Sequence, residues 1–291
     1  MTAHKHISIG TFTATLALAF SSLTASATNS SHQPLSTNFA QTLSEISLDL
    51  NATSFSDVEL DEADSFDGWS AALELTVPFN DTMQLRFSLP FYTDGEATLT
   101  DPSLPDVGEK TDITGNGGVF DFMTLSFEHQ LSSVETSGYN AGYSIGFGQI
   151  TDQLETDTSD DDLYNHTGRV IVAAINMDKP IFDGKSQWLI NAGVRYYFDT
   201  DDLHPDGRAD FTWADIKTAV IFQPWALGKL QMQPVLELTY LGEFSNYNAL
   251  ALMPELIFPF GKSASFKLGG IIGLTNDGNQ GGVVGELSIG F

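Results

Sequence analysis

The chain has 291 residues, with 38 acidic and 12 basic side chains and a formal net charge of −26. This balance excludes a general nucleic-acid-binding protein, because contacts to phosphates need Lys and Arg. The chain contains no cysteine, which excludes disulfides, thiol catalysis and cysteine-ligated metals. Beyond the N-terminal segment, no run of about 18 apolar residues predicts a membrane-spanning helix.

The N-terminus has the pattern of a secretory signal peptide. A basic start is followed by an apolar stretch over residues 7–23. Ala25-Ser26-Ala27 then provides small residues at the positions that a signal peptidase recognises before the cleavage site. We therefore predict a signal peptide over residues 1–27. Residues 28–43 are mostly polar, which predicts a short flexible periplasmic arm.

From residue 44 to residue 291, apolar and polar residues alternate in short segments separated by polar turns. For example, residues 69–79 and 83–91 each carry one apolar face, and Asn80-Asp81 between them fits a two-residue hairpin turn. The pattern recurs about twelve times, in segments of about ten residues, as tilted membrane strands require. We therefore predict an all-β fold, a transmembrane antiparallel up-and-down β-barrel of about 12 strands over residues 44–291.

Long and short connections alternate along the predicted barrel. This layout is typical of barrels whose long loops face the exterior and whose tight turns face the periplasm. Acidic residues concentrate in the long loops, at 57–67, 94–112, 152–162 and 199–206. The sequence thus predicts long acidic extracellular loops.

The acidic loops have two interpretations, solvated surface or capture of Ca²⁺. Asp199 and Asp201 begin a segment like a calcium-binding loop, since hard cations take carboxylate oxygens. However, His204 stands where the EF-hand pattern needs Gly, and Asp210 replaces its closing Glu. Solvated loops are therefore favoured, and no cofactor is expected.

The polar face of each strand should line the barrel interior. Charged residues of both signs fall on that face, which indicates cross-strand ion pairs rather than one selective field. A plugged, salt-bridged interior and a conducting pore both fit them. The lumen-lining candidates are Glu74, Arg86, Glu128, Arg195, Lys217, Glu237, Glu255, Lys267 and Glu286, with the inward aromatic residues Phe120, Phe122 and Tyr197. These aromatic residues either form a path for an aromatic or acyl substrate or pack inside a narrow barrel.

The last strand ends on an aromatic residue. One face of this strand carries the apolar residues Leu287, Ile289 and Phe291, and the other face carries Glu286 and Ser288. This ending resembles the C-terminal signal of Gram-negative outer-membrane barrels, in which a terminal Phe follows alternate apolar residues. The resemblance implies that Leu287, Ile289 and Phe291 are the insertion signal for the barrel-assembly machinery. It also implies an outer-membrane protein in contact with the lipid bilayer and lipopolysaccharide. The alternative is an ordinary last strand of a soluble sheet.

No catalytic motif is recognised, so we predict no enzyme and no catalytic residues. His32, His129, His166 and His204 lie in no serine-hydrolase motif, and there is no His-x-x-x-His pair and no Walker loop.

Two segments resemble an outer-membrane family named for the meta-pathway of phenol degradation, whose members are thought to be transporter-like barrels. In the first, residues 73–79 and 89–92 give apolar-Pro-aromatic strand ends. In the second, residues 115–122 give a Gly-rich loop end with Asp121 before the fourth strand. The resemblance implies passage of small hydrophobic or aromatic compounds. We therefore expect an outer-membrane channel or transporter for small molecules. The alternative is a non-conducting structural or adhesive barrel with cation-binding acidic loops.

Overall fold

The computed structural model describes residues 33–58, 63–99, 108–115, 122–150, 153–156, 164–165, 168–200, 208–228, 230–261 and 263–291. These residues form β-strands and one helical turn, α1 (Val134–Ser137). In chain order the strands are β1 (Ser47–Val58), β2 (Ala63–Asn80), β3 (Met83–Leu99), β4 (Lys110–Gly115), β5 (Met123–Ser132), β6 (Asn140–Ile150), β7 (Gln153–Thr156), β8 (Tyr164–Asn165), β9 (Gly168–Ile181), β10 (Ser186–Phe198), β11 (Phe211–Ile221), β12 (Trp225–Leu227), β13 (Leu230–Gly242), β14 (Asn248–Phe260), β15 (Ala264–Gly273) and β16 (Gly281–Gly290).

Twelve strands close into an antiparallel β-barrel, which confirms the predicted fold. Around the ring the order is β1, β16, β15, β14, β13, β11, β10, β9, β6, β5, β3 and β2, and β2 pairs with β1 to close it. Closure matters because a strand edge in lipid would leave backbone groups without hydrogen-bond partners.

The alternation of residue types decides which face of each strand points outward. On β9, Ile175 is 68% exposed while its neighbour Asn176 is buried. On β16, Val283 is exposed, while Glu286 and Ser288 are buried. Successive side chains of a strand point to opposite faces, so the strands place apolar groups outside and most of their polar and charged groups inside, together with two buried apolar clusters. The barrel therefore has an apolar exterior around a polar interior.

The two ends of the barrel differ. Short turns lie at the end where β1 begins and β16 ends, which we call the turn end; the opposite end is the loop end. At the loop end β3 pairs with β4, β4 with β7, and β7 with β8. The sequence predicted a long acidic loop at 94–112, but residues 94–99 belong to β3 and residues 110–112 to β4. Thr recurs in these segments, at Thr98, Thr111 and Thr114, and favours extended backbone.

Residues 33–43 lie inside the barrel, and we call them the strap. Phe39 of the strap packs against Leu189, Val235 and Ile257 of the inner wall. The interpretation of residues 28–43 as a flexible periplasmic arm is therefore wrong for the strap, and residues 28–32 lie outside the described residues. Burial of the apolar side chain and hydrogen bonds to the wall favour the docked position.

Several other predicted features fall wholly or partly outside the described residues. These are the signal peptide over residues 1–27 and, within the acidic loops, residues 59–62, 100–107, 152, 157–162 and 201–206. In the described part of the chain, no helix has the length and apolar character needed to cross a membrane.

Candidate functional site

The barrel encloses a cavity of about 440 Å³ between the strap and the loop end. This volume is in the range of small-molecule sites. Asp49 and Glu74 line one wall from β1 and β2, and Arg195 and Asp215 line the other from β10 and β11. Since β10 lies opposite β1 in the ring, charged groups face each other across the cavity. Strap residues 33–36 also line it.

Arg86 links two carboxylates on neighbouring strands. Its Nε atom lies 2.8 Å from Glu128 Oε1, and its Nη1 atom lies 2.5 Å from Glu74 Oε1. Gln84 Nε2 donates to the second oxygen of Glu128. Arg86 and Glu128 are each only 8% exposed, so this group joins β2, β3 and β5 from the inside.

A second ion pair joins β15 to β16. Lys267 Nζ lies 2.5 Å from Glu286 Oε1, and both side chains are buried. The Ser288 hydroxyl donates to Asp49 on the neighbouring strand β1. The Ser47 hydroxyl also donates to Asp49, at 3.1 Å. This group continues the polar wall from β15 to β1.

A third ion pair lies on the opposite wall. Arg195 Nη2 is 2.7 Å from Asp215 Oδ2, and Lys217 Nζ is 4.0 Å from Asp215 Oδ1. The predicted charged candidates thus fall into these three groups, except for two glutamates that contact the strap.

Six wall side chains accept hydrogen bonds from the backbone of the strap. They come from six strands, in the order β14, β13, β10, β9, β5 and β3, which is their order around the ring. We call these six residues the acceptor row. The bonds run from Leu35 N to Glu255 Oε2 (3.1 Å), Ser36 N to Glu237 Oε1 (3.0 Å), Asn38 N to Asn191 Oδ1 (2.7 Å), Ala40 N to Asp178 Oδ2 (2.9 Å), Thr42 N to Gln130 Oε1 (3.1 Å) and Leu43 N to Gln84 Oε1 (2.7 Å).

An aromatic cluster lies inside the barrel toward the loop end. The rings of Tyr197 and Phe211 stack at a centroid distance of 4.5 Å, and those of Trp213 and Tyr247 at 4.6 Å. Phe122 packs edge-on against Tyr197 at 5.5 Å. The predicted inward residues Phe122 and Tyr197 therefore come together here, while Phe120 lies outside the described residues.

Sequence reasoning missed several interior residues. Three inward-facing aspartates were not among the candidates: Asp49, Asp178 and Asp215. The alternation of side chains along each strand, which identified Glu286 as inward-facing, would have identified them as well. Phe211 and Trp213 share the parity of Asp215. By contrast, no periodicity in the strap indicated where it would dock.

The weak calcium candidate Asp199 takes part in other contacts. Its Oδ2 atom accepts a hydrogen bond from Arg169 Nη1 at 3.1 Å, and its backbone N–H donates to Asp210 Oδ1 at 3.3 Å. Asp201 lies outside the described residues. Within those residues, no group of three or more His, Asp or Glu side chains is arranged to hold a metal ion. His129, on the outward parity of β5, has its Nδ1 atom 3.3 Å from the Tyr143 hydroxyl.

No protein-family model matches the chain, and no curated protein matches it. Among solved structures, an outer membrane channel from Pseudomonas putida F1 is similar, with 12% identity and a TM-score of 0.54, over 89% of this chain and 99% of that chain. The translocator domain of the autotransporter NalP from Neisseria meningitidis has 9% identity and a TM-score of 0.45, over 85% and 88% of the two chains. The outer membrane channel DcaP of Acinetobacter baumannii has 11% identity and a TM-score of 0.35, over 85% and 96%. The first likeness supports the barrel fold.

Proposed function

We propose that the protein is a channel or transporter for small molecules in the outer membrane of a Gram-negative bacterium. The observation that carries this proposal is the cavity of about 440 Å³, enclosed by a closed barrel with an apolar exterior. Such an exterior matches lipid, and a polar interior can hydrate a solute in transit. Charged side chains on opposite walls give the cavity groups that orient a polar solute.

The proposed orientation places the loop end outside the cell and the turn end in the periplasm. A signal peptide over residues 1–27 directs export, and Leu287, Ile289 and Phe291 act as the insertion signal for the barrel-assembly machinery. The Phe291 side chain is 67% exposed, and its backbone N–H donates to Ile46 O at 2.9 Å. The terminal ring is thus held at the barrel rim, where aromatic side chains favour the membrane–water interface. The outer face contacts lipid and lipopolysaccharide.

Hydrophobic and aromatic compounds are among the proposed substrates. The aromatic cluster around Tyr197 and Trp213 supports this class, because stacked rings offer apolar surface near the loop end. The resemblance to barrels named for phenol degradation points in the same direction. Small aromatic solutes would pass this cluster before they reach the charged part of the cavity.

Reconstitution tests the proposal. We expect the purified chain in planar bilayers to give discrete conductance steps, and a variant without residues 33–43 to give larger steps. Vesicles that contain the protein should also take up small phenols faster than protein-free vesicles, whose uptake rate measures passive diffusion through the lipid. Absence of conductance and of uptake in both the full chain and the shortened variant would overturn the proposal.

The second candidate is a non-conducting structural or adhesive barrel whose acidic loops bind cations. The docked strap favours it, because the strap fills part of the lumen at the turn end. Under this alternative, the full chain stays sealed in every condition, and removal of the acidic loops abolishes adhesion or cation binding. Under the channel proposal, removal of those loops leaves permeation unchanged or increased.

A further inference from the structure

The acceptor row combines three carboxylates with three amides. The carboxylates belong to Asp178, Glu237 and Glu255, which are at most 4% exposed. Among the described residues, no Lys or Arg nitrogen forms an ion pair with any of the three. Charge burial without a counterion is costly. The row therefore brings together three buried carboxyl groups whose hydrogen-bond partners are neutral donors of the strap and of the wall residues Asn140 and Gln187.

Glu255 also has an oxygen atom without a hydrogen bond. Its Oε2 atom accepts from Leu35 N at 3.1 Å, whereas its Oε1 atom is fully buried and has no partner within the described part of the chain. Glu255 pairs with Val235 on β13, two residues before Glu237. The two glutamates are thus diagonal neighbours on the inner face. An unsatisfied carboxylate oxygen beside a second carboxylate marks a place for a positively charged donor.

The geometry of the row selects an elongated ligand. The strap presents donors at intervals, from the N–H groups of Ser36, Asn38, Ala40 and Thr42. Between these donors, Phe39 packs against apolar side chains of the wall. A matching ligand therefore carries spaced N–H donors joined by apolar segments.

A linear amine has these properties. Its ammonium groups are charged N–H donors that pair with carboxylates more strongly than neutral amides do. Its methylene segments match the apolar wall around Leu189, Val235 and Ile257. We propose that the acceptor row is a binding site for elongated organic cations of the linear amine class, and that the strap occupies the site in their absence. This inference rests on one part of the proposed function, namely that solutes dissolved in water can enter the lumen.

Spermidine, a linear triamine, tests the site by titration calorimetry on the full chain in detergent. We expect saturable binding to the wild type. The variant Asp178→Asn/Glu237→Gln/Glu255→Gln keeps the side-chain size and one acceptor oxygen at each position but removes the three carboxylates. It should bind spermidine more weakly by on the order of 100-fold, since a neutral amide cannot form an ion pair with an ammonium group.

A matched control removes three carboxylates from exposed short turns, in the variant Asp81→Asn/Glu135→Gln/Asp183→Asn. It has the same net charge as the row variant and should bind spermidine as the wild type does. Equal weakening in both variants would show that overall charge attracts the amine, and would overturn the inference. Absence of binding to the wild type and to a variant lacking residues 33–43 would also overturn it.

Competition with the strap gives a second readout. Deletion of residues 33–43 should tighten spermidine binding by roughly tenfold. In the full chain the strap occupies the site in most molecules, which lowers the apparent affinity by the fraction of molecules whose site is free. Deletion that leaves the affinity unchanged would contradict the strap as competitor. Because calorimetry needs no ion flow, the outcomes separate. Binding without conductance would overturn the channel proposal alone, and conductance without binding would overturn this inference alone.

Discussion

Arg86 illustrates how single charges are accommodated inside the barrel. Its guanidinium group lies between Glu74 and Glu128, so one cation forms ion pairs with carboxylates on the two strands beside its own. The delocalised fork of Arg suits this arrangement because it donates along several directions. Interior pairs of this kind hold strands in register, whereas surface pairs such as Arg169 with Asp199 are screened by water.

The substitution Arg86→Met should therefore destabilise the barrel. It leaves the buried Glu128 and the partly buried Glu74 without a counterion, which costs about 3–5 kcal/mol of unfolding free energy. The matched change Arg169→Met removes an exposed ion pair and should cost about 0–1 kcal/mol. Guanidinium unfolding in lipid vesicles, followed by tryptophan fluorescence, measures both. Equal losses would contradict the interior position of the Arg86 group.

Phe39 is the largest buried apolar side chain of the strap. The substitution Phe39→Ala should weaken docking of the strap by about 3–5 kcal/mol, the usual cost of deleting a buried aromatic ring. The barrel itself should remain folded. Hydrogen exchange at the amides of residues 36–42 should then become faster, while exchange in β13 and β14 stays slow. Phe182→Ala, at a turn position 71% exposed, is the control and should leave strap exchange unchanged. Unchanged exchange in Phe39→Ala would show that the acceptor row alone holds the strap.

At the scale of elements, close pairing of β9 with β10 depends on Gly193. A Cβ atom at this position would lie 2.5 Å from Ala173 O and 2.7 Å from Ala174 Cβ. Both distances are far below ordinary contact. The interior of the barrel is therefore crowded at this point, and the two strands approach closely because residue 193 has no side chain.

The substitution Gly193→Val should lower the temperature at which the folded barrel is lost on heated gels. Overpacking of this kind costs about 1–3 kcal/mol. Gly270→Val on β15 is the matched control, because an added Cβ there meets no atom within 4 Å. It should leave the melting temperature unchanged or slightly raised. A similar loss in both variants would indicate a general glycine effect rather than close packing at β9 and β10.

The strands and their faces were predictable because a strand has a period of two. That rule alone assigned the interior positions of Glu286 and Lys267 and would have assigned Asp215. The strap was not predictable, since its contacts depend on residues as distant as Glu255, 220 positions along the chain from Leu35. The strand β4 was missed because its polar sequence resembles a loop. Pairing with β3 determines its conformation, as tertiary context commonly does for strands.

At the scale of the whole molecule, the barrel has an apolar exterior, a polar interior and a strap that narrows the turn end. The sequence has a net charge of −26, and it predicts that the acidic excess concentrates in the long loops at the loop end. A field of this sign attracts cations toward the lumen. The arrangement is consistent with the proposed amine site, which lies on the turn-end side of the cavity, where the strap contacts the acceptor row.

The central claim is that apolar faces contact lipid while polar faces line the lumen, and spin labels test it most directly. The chain has no cysteine, so each introduced cysteine carries a single label. We predict that labels at outward Leu85 and Leu238 in lipid vesicles collide with dissolved oxygen more than with a water-soluble nickel chelate. Labels at Ser88 and Thr239, which line the cavity, should show the opposite preference. Equal preference at both parities, or a folded protein that stays in water without detergent, would contradict the account.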